Sequence, residues 1–307
     1  MPNNPAMKGV LSPVVTPFDA NLAPDAGRLV KHCKWLIDNN VGLAVFGTNS
    51  EANSMSTREK LRLLDALAES GLPTERMMPG TGACALDDSV ELTKRAVELG
   101  CGGVLMLPPF YYKGVPEEGL YRNFSEIIQR VGDDRLRIYL YHIPPVAQVG
   151  IPLGLIERLL KDYPGIVAGA KDSSGDWSNT KAMIDNFAAQ GFDVYPGSES
   201  FLLQAMRAGG AGCISATANV NPGPIAKLAA TWQGDDADAQ QEGLNVTRGI
   251  FQTYVMIPAL KAAIAHYGRD PEWNRLRPPL VELTAAEQKD LVAKLDASGF
   301  AMAGLAG

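Results

Sequence analysis

Apolar residues alternate between two patterns along this chain. Short, nearly continuous apolar runs cover 10–16, 43–47, 76–82, 103–107, 137–141, 166–171, 192–195 and 211–215, most of them bounded by glycine or proline. A run of that length between breakers reads as a strand buried on both faces, the habit of parallel sheets. Between the runs the apolar positions take helical spacing. Ala26, Leu29, Val30, Cys33, Leu36 and Ile37 predict a helix over 24–39. Ser56-Thr57-Arg58-Glu59 is a capping box ahead of Leu61, Leu64 and Ala68. Further helices are expected from 86 to a C-terminal Gly100, over 116–131, from Pro152 at a first helical turn, and over 179–189, 201–208 and 222–232. Eight strand-then-helix units within 1–233 predict an α/β fold, a (β/α)8 TIM barrel. A doubly wound sheet is the alternative and usually has fewer units. Residues 234–307 read as a small C-terminal helical appendage, with helices in 237–266 and 285–297 around the link Arg277-Pro278-Pro279.

The 307 residues, 46% hydrophobic, suffice for a sizeable core, and the net charge of −6 argues against nucleic acid or an anionic membrane as partner. No apolar stretch approaches the ~20 residues of a membrane span. Met1-Pro2-Asn3-Asn4-Pro5 lacks the charged and apolar regions of a signal peptide. Cys33, Cys84, Cys101 and Cys213 form no CxxC pair, so buried, reduced thiols in a cytoplasmic protein are expected. His32, His142 and His266 lie too far apart in sequence to suggest a zinc site, and no metal is expected.

Candidate chemistry gathers at the carboxyl ends of the apolar runs, where parallel α/β folds carry function. The sixth run ends in Lys171. A desolvated lysine is disfavoured as an ammonium, and a neutral amine is a nucleophile toward ketones. The competing reading is a lysine that marks where a strand meets water. After the second run, Gly47-Thr48-Asn49-Ser50-Glu51 can present backbone N–H groups to a small carboxylate, or be an ordinary polar loop. Tyr111-Tyr112 follows the fourth run and Tyr141 ends the fifth, with His142 beyond it in a packing or hydrogen-bonding role. Gly80-Thr81-Gly82-Ala83-Cys84-Ala85 matches a dinucleotide fingerprint, but the next strand ends in Leu107-Pro108-Pro109 with no acid for a ribose, so the segment reads as a glycine turn.

On these segments the chain resembles the dihydrodipicolinate synthase / N-acetylneuraminate lyase family of class I pyruvate-type lyases and aldolases. The resemblance runs from Pro13-Val14-Val15-Thr16-Pro17-Phe18 to the helical tail. It is carried by Gly47-Thr48-Asn49-Ser50-Glu51, Pro109-Phe110-Tyr111-Tyr112, Tyr141-His142-Ile143-Pro144, Gly169-Ala170-Lys171-Asp172-Ser173 and the glycine-rich segment from Gly212 to Asn219. It implies that Lys171 forms a Schiff base and that Tyr141 shuttles protons through a relay with Thr48 and Tyr112. It further implies that the Thr48-Asn49 backbone binds a keto-acid carboxylate, that Ile214 lines the lysine's pocket, and that Ser173, Gly197 and Glu199 contact a second substrate. Tyr112 would reach into a neighbouring subunit, which implies a homotetramer built as a dimer of dimers.

Two positions depart from the family pattern. Asn49 replaces a second hydroxyl residue, and Val146 stands where the synthases carry an arginine for the aldehyde substrate's carboxylate. Valine cannot replace that bidentate partner. The expected activity is a lyase or aldolase acting on pyruvate or another 2-keto acid through an iminium on Lys171, with no external cofactor. Alternatives are a dehydratase or deaminase using the same iminium, a dihydrodipicolinate synthase with a substituted carboxylate site, and a non-catalytic keto-acid binder. The last would be expected to have lost Lys171 or Tyr141.

Overall fold

The computed structural model describes residues 7–305; the Met1–Pro5 stretch read above for a signal peptide lies outside them. The chain forms two compact units. One holds Gly9–Leu72 and the chain from Ser215 onward, and the other holds Pro73–Ile214 with Met7 and Lys8.

The first unit opens with strand β1 (Gly9–Ser12), helix α1 (Ala26–Asp38), strand β2 (Gly42–Leu43) and helix α2 (Thr57–Glu69). β1 and β2 pair in parallel, Leu11 against Gly42 and Ser12 against Leu43. Pro13, which has no N–H, stands directly after β1, so the strand is shorter than the apolar run. Asp25 caps α1 by accepting from Arg28 N at 2.9 Å. The capping box of α2 forms as expected, with Ser56 N donating to Glu59 Oε2 at 2.8 Å. The face that α2 buries is Lys60, Leu63, Leu64 and Leu67, one position away from the stripe that began at Leu61.

The second unit continues with α3 (Leu86–Glu98), β3 (Val104–Met106), α4 (Glu117–Val131), β4 (Ile138–His142), α5 (Pro144–Ala147), α6 (Leu153–Asp162), β5 (Val167–Asp172), α7 (Trp177–Phe187), β6 (Asp193–Pro196), α8 (Leu202–Ala208) and β7 (Gly212–Ile214). β3, β4, β5 and β6 form a parallel sheet in that order. The strand expected over 76–82 is reduced to a single bridge between Gly80 and Leu105. Pro79 accepts from Leu105 N at 2.9 Å but has no N–H to extend a ladder. Pro152 caps α6 rather than occupying its first turn. The first unit then closes with α9 (Pro222–Thr231), α10 (Ala237–Gln252), α11 (Met256–Tyr267) and α12 (Ala285–Ala297). Residues 237–266 therefore hold two helices, with a break after Gln252. No helix among the described residues is long and apolar enough to cross a membrane.

Two glycines shape the middle of the second unit's sheet. A Cβ on Gly103 would lie 2.6 Å from the Tyr139 ring, and one on Gly169 would lie 2.6 Å from the same ring and 2.2 Å from Asp193 O. The Tyr139 ring therefore fills the space of a side chain at 103, and shares that at 169 with the Asp193 carbonyl. Its hydroxyl reaches Asp193 Oδ2 at 3.4 Å, and its ring meets buried Tyr195 edge-on at 5.9 Å. Burial pushes the Asp193 carboxyl up to about 6, with Lys8 pulling the other way. The unfolded value is about 3.9, so the folded chain holds this proton more tightly. The contribution is full below about pH 4 and is lost as pH rises through 6. Asp193→Asn should remove that dependence. Relative to the parent, the variant should gain about 1–3 kcal/mol between pH 4.5 and 7.5, read from urea unfolding. Parallel curves for the two chains would contradict this.

Candidate active site

β5 sets Lys171 directly across from Tyr141 on β4 and from Tyr195 on β6. Lys171 is 2% exposed and Tyr141 3%. Lys171 Nζ donates to Tyr141 Oη at 3.2 Å and lies 4.2 Å from the centre of that ring. The strand register alone produces this pairing, because both residues end apolar runs in adjacent parallel strands. A buried amine in hydrogen-bond reach of a phenol can act as a nucleophile with a proton carrier beside it.

The neighbouring strand ends supply a polar rim. Asp172 is buried and fully occupied: its Oδ2 accepts from Thr180 Oγ1 at 2.6 Å and Asn179 Nδ2 at 3.0 Å, and its Oδ1 from Ser174 N at 2.9 Å. These bonds hold the start of α7 against β5. Ser173 N donates to His142 O at 2.7 Å, and Gly197 N to Asp172 O at 2.6 Å. Ser173 and Gly197 thus meet closely enough that a Cβ on Gly197 would lie 2.1 Å from Ser173 Oγ. Glu199 is buried in the short turn Glu199–Phe201, and Ile214 is buried at the end of β7.

His142 Nδ1 accepts from Ile151 N at 2.9 Å, which leaves its proton on Nε2 when the ring is neutral. Burial pulls its pKa below the ordinary value, against the pull of Asp172. The ring is hydrogen-bonded, on the strand residue that directly follows Tyr141. Tyr112 is 73% exposed and meets Tyr111, 74% exposed, edge-on at 5.4 Å. The single chain therefore does not bring Tyr112 to Tyr141.

Sequence reasoning missed Lys113. Its ammonium donates to the carbonyls of Phe110 and, at 2.7 Å, Ala147. It ties the double-tyrosine loop to the end of α5, next to Val146, which is 61% exposed. The only hint in the sequence was a lysine directly after two tyrosines.

In the other unit, Thr48 and Asn49 are half-buried in the short turn Thr48–Ser50. Gly47 N donates to Ser50 Oγ at 3.1 Å and Thr16 Oγ1 to Ser50 O at 2.7 Å. The glycine of the dinucleotide-like segment has a packing reason: a Cβ on Gly82 would lie 2.3 Å from Leu107 N. His32 is a buried ring stacked on Trp35, pulled down to about 4 by desolvation. No three His, Cys, Asp or Glu side chains among the described residues gather as a metal-holding group. The four cysteines are free, but Cys84 is exposed and Cys101 half-buried, so only Cys33 and Cys213 are the buried thiols expected.

The profile of the dihydrodipicolinate synthetase family matches residues 6–298. A protein from Chloroflexus aurantiacus described as an uncharacterized DapA-like lyase is 34% identical over 288 residues, covering 91% of this chain and 93% of its own length. The 4-hydroxy-tetrahydrodipicolinate synthase of Methanococcoides burtonii is 32% identical, covering 92% and 95%. The crystal structure of dihydrodipicolinate synthase from Agrobacterium tumefaciens superposes with a TM-score of 0.87 at 27% identity, covering 94% of this chain and 98% of that one. The fold class shared with such structures is the expected one, an α/β fold of the (β/α)8 barrel type.

Proposed function

Because the chain belongs to the dihydrodipicolinate synthetase family and is a lyase, we propose that it makes or breaks a bond next to the carbonyl of a 2-keto acid, such as pyruvate, held as an iminium on Lys171. The observation that carries this is the buried Lys171 Nζ at 3.2 Å from Tyr141 Oη. Lys171 Nζ adds to the C2 carbonyl, and the carbinolamine loses water as Tyr141 Oη delivers a proton to the departing oxygen. The iminium then withdraws electrons from C3. Loss of a C3 proton gives an enamine that attacks an aldehyde, and the reverse order cleaves an aldol. Water finally releases the product and frees the amine. The chemistry draws its electron sink from the substrate itself, so no external cofactor is called for.

The family pattern assigns Thr48 and Tyr112 to the proton relay and the Thr48-Asn49 backbone to the keto-acid carboxylate. Ser173, Gly197 and Glu199 would meet the second substrate, and Ile214 would wall the lysine's pocket. Buried Glu199 favours a second substrate with hydroxyl groups. A dehydratase or deaminase would use the same iminium: loss of a C3 proton gives the enamine, whose electrons expel a C4 hydroxyl or amino group, protonated as it leaves as water or ammonia. We place the protein in the cytoplasm as a homotetramer.

The exposed Tyr111-Tyr112 pair supports that assembly, since two large aromatic rings in water have a use at an interface. Mixing Tyr112→Phe subunits with Tyr141→Phe subunits should recover part of the activity that each variant alone has lost. Full activity in a strictly monomeric preparation would rule the arrangement out.

Borohydride reduction in the presence of a panel of 2-keto acids tests the whole reading. A stable adduct should appear by mass spectrometry on the peptide that carries Lys171, and the keto acid needed at the lowest concentration names the substrate class. An adduct on another lysine would refute it.

A further inference from the structure

The turn assigned above to the substrate carboxylate is built with more constraint than a surface loop needs. It is entered by Phe46 and left by Glu51, both non-glycine residues in the left-handed region, at φ 62 and φ 56. Such residues persist only where the surroundings over-determine them, and they concentrate at functional sites. Glu51 closes the turn with its own N–H, which donates to Thr48 O at 3.1 Å.

Its side chain is the other constraint. Glu51 Oε1 accepts from Lys261 Nζ at 2.7 Å, and Oε2 accepts from the Arg277 backbone N–H at 3.0 Å. Both side chains of the Glu51–Lys261 pair have 0% exposure. Lys261 comes from the middle of α11. Its Nζ lies 4.6 Å from the centre of the Phe18 ring, and the Arg277 guanidinium lies 4.9 Å from the same centre. Arg277 is itself fixed by Glu59 at 2.5 Å and by Ser54 O at 2.6 Å. Every one of these groups belongs to the same unit as the turn.

A buried ion pair is a poor way to gain stability, because apolar groups of equal volume often do as well or better. What it supplies here is direction: one carboxylate with two fixed donors sets where residue 51 sits, and through it where residues 48 and 49 point. The geometry points to Lys261 and Glu51 as positioning residues that hold the Thr48 and Asn49 backbone N–H groups in the orientation that binds the keto-acid carboxylate. This rests on the carboxylate reading of the turn and adds the device that makes the turn competent.

The test uses the full-length chain and pyruvate as the probe. Borohydride-trapped adduct is measured against pyruvate concentration in the parent and in the double variant Glu51→Gln/Lys261→Met, which removes both charges while keeping the volume. The half-saturating concentration should rise about tenfold or more. The yield at saturation and the thermal unfolding midpoint should stay close to those of the parent. An unchanged half-saturating concentration in the folded double variant overturns the proposal. So does a yield that falls in step with helical content, which is what a merely structural pair would give. If the double variant does not fold, Glu51→Asp keeps the charge and shortens its reach. The same rise is expected there, and parent-like concentration dependence in that variant overturns the proposal. No adduct in the parent chain refutes the Lys171 reading itself and removes the ground for the positioning role.

Discussion

Lys171→Ala is expected to lower kcat/KM by on the order of 10^4-fold or more and to abolish the borohydride adduct. The size follows from what the amine does. Under the proposed mechanism, the keto acid without it keeps an ordinary carbonyl, which is a weaker electron sink than an iminium, and Tyr141 has no carbinolamine to protonate. Binding and orientation alone would leave a small residual rate. The fold should tolerate the change at a cost, because a 2%-exposed side chain is removed and the Tyr141 hydroxyl loses the donor at 3.2 Å. Lys171→Met fills the same space without the amine and separates the two effects. It should recover stability and none of the activity. Adduct formation undiminished in either variant would sink the assignment.

Condensation of pyruvate with the aspartate-derived aldehyde should be slower in this chain than in ordinary synthases by roughly 30- to 5000-fold in kcat/KM, the equivalent of about 2–5 kcal/mol. That aldehyde carries a carboxylate, and an unpaired carboxylate in a water-poor site is costly. By the family resemblance, Val146 takes the place of an arginine that would offset the cost. Two nearby side chains are held by the fold, and Gln148 is the remaining substitute donor. His142 is pulled below its ordinary pKa by burial and accepts at Nδ1 from Ile151. Lys113 spends hydrogen bonds on the carbonyls of Phe110 and Ala147. The Methanococcoides burtonii relative at 32% identity is a synthase by name, which makes a coupled assay of this reaction informative. Val146→Arg should raise turnover of the carboxylated aldehyde while leaving Schiff-base formation with pyruvate unchanged. Parent activity equal to that of ordinary synthases would mean that an arginine at position 146 is dispensable.

The strand-and-helix alternation was legible because buried parallel strands leave apolar runs that glycine and proline punctuate. Where the reading overshot, backbone chemistry explains it: the 76–82 run has the apolar content of a strand, but Pro79 cannot donate to a ladder. Lys171 and Tyr141 were visible as the last residues of two such runs. That they touch depends on register, which one sequence does not encode at any single position. Lys113 and Asp193 were invisible for a related reason. Each is one polar residue inside a segment whose pattern is set by its neighbours, and each acquires its role from a partner distant in the chain. The Tyr139 cluster left only a faint trace, a second tyrosine two positions before Tyr141 and therefore on the same side of the strand.

The ring of Tyr139 between Gly103 and Gly169 bears on how this protein can change over generations. Alanine at 103 or 169 collides with the ring, and a small residue at 139 leaves a void flanked by two glycines. Each single step is therefore unfavourable from the present state, while a smaller residue at 139 together with alanine at 103 refills part of the space. Such a pair shows sign epistasis: alanine at position 103, barred now by the ring, is tolerated once position 139 has shrunk. The order of replacement is constrained, with 139 moving first. Gly169, two residues before the proposed nucleophile Lys171, stays closed in either order, because a Cβ there would also lie 2.2 Å from the backbone Asp193 O.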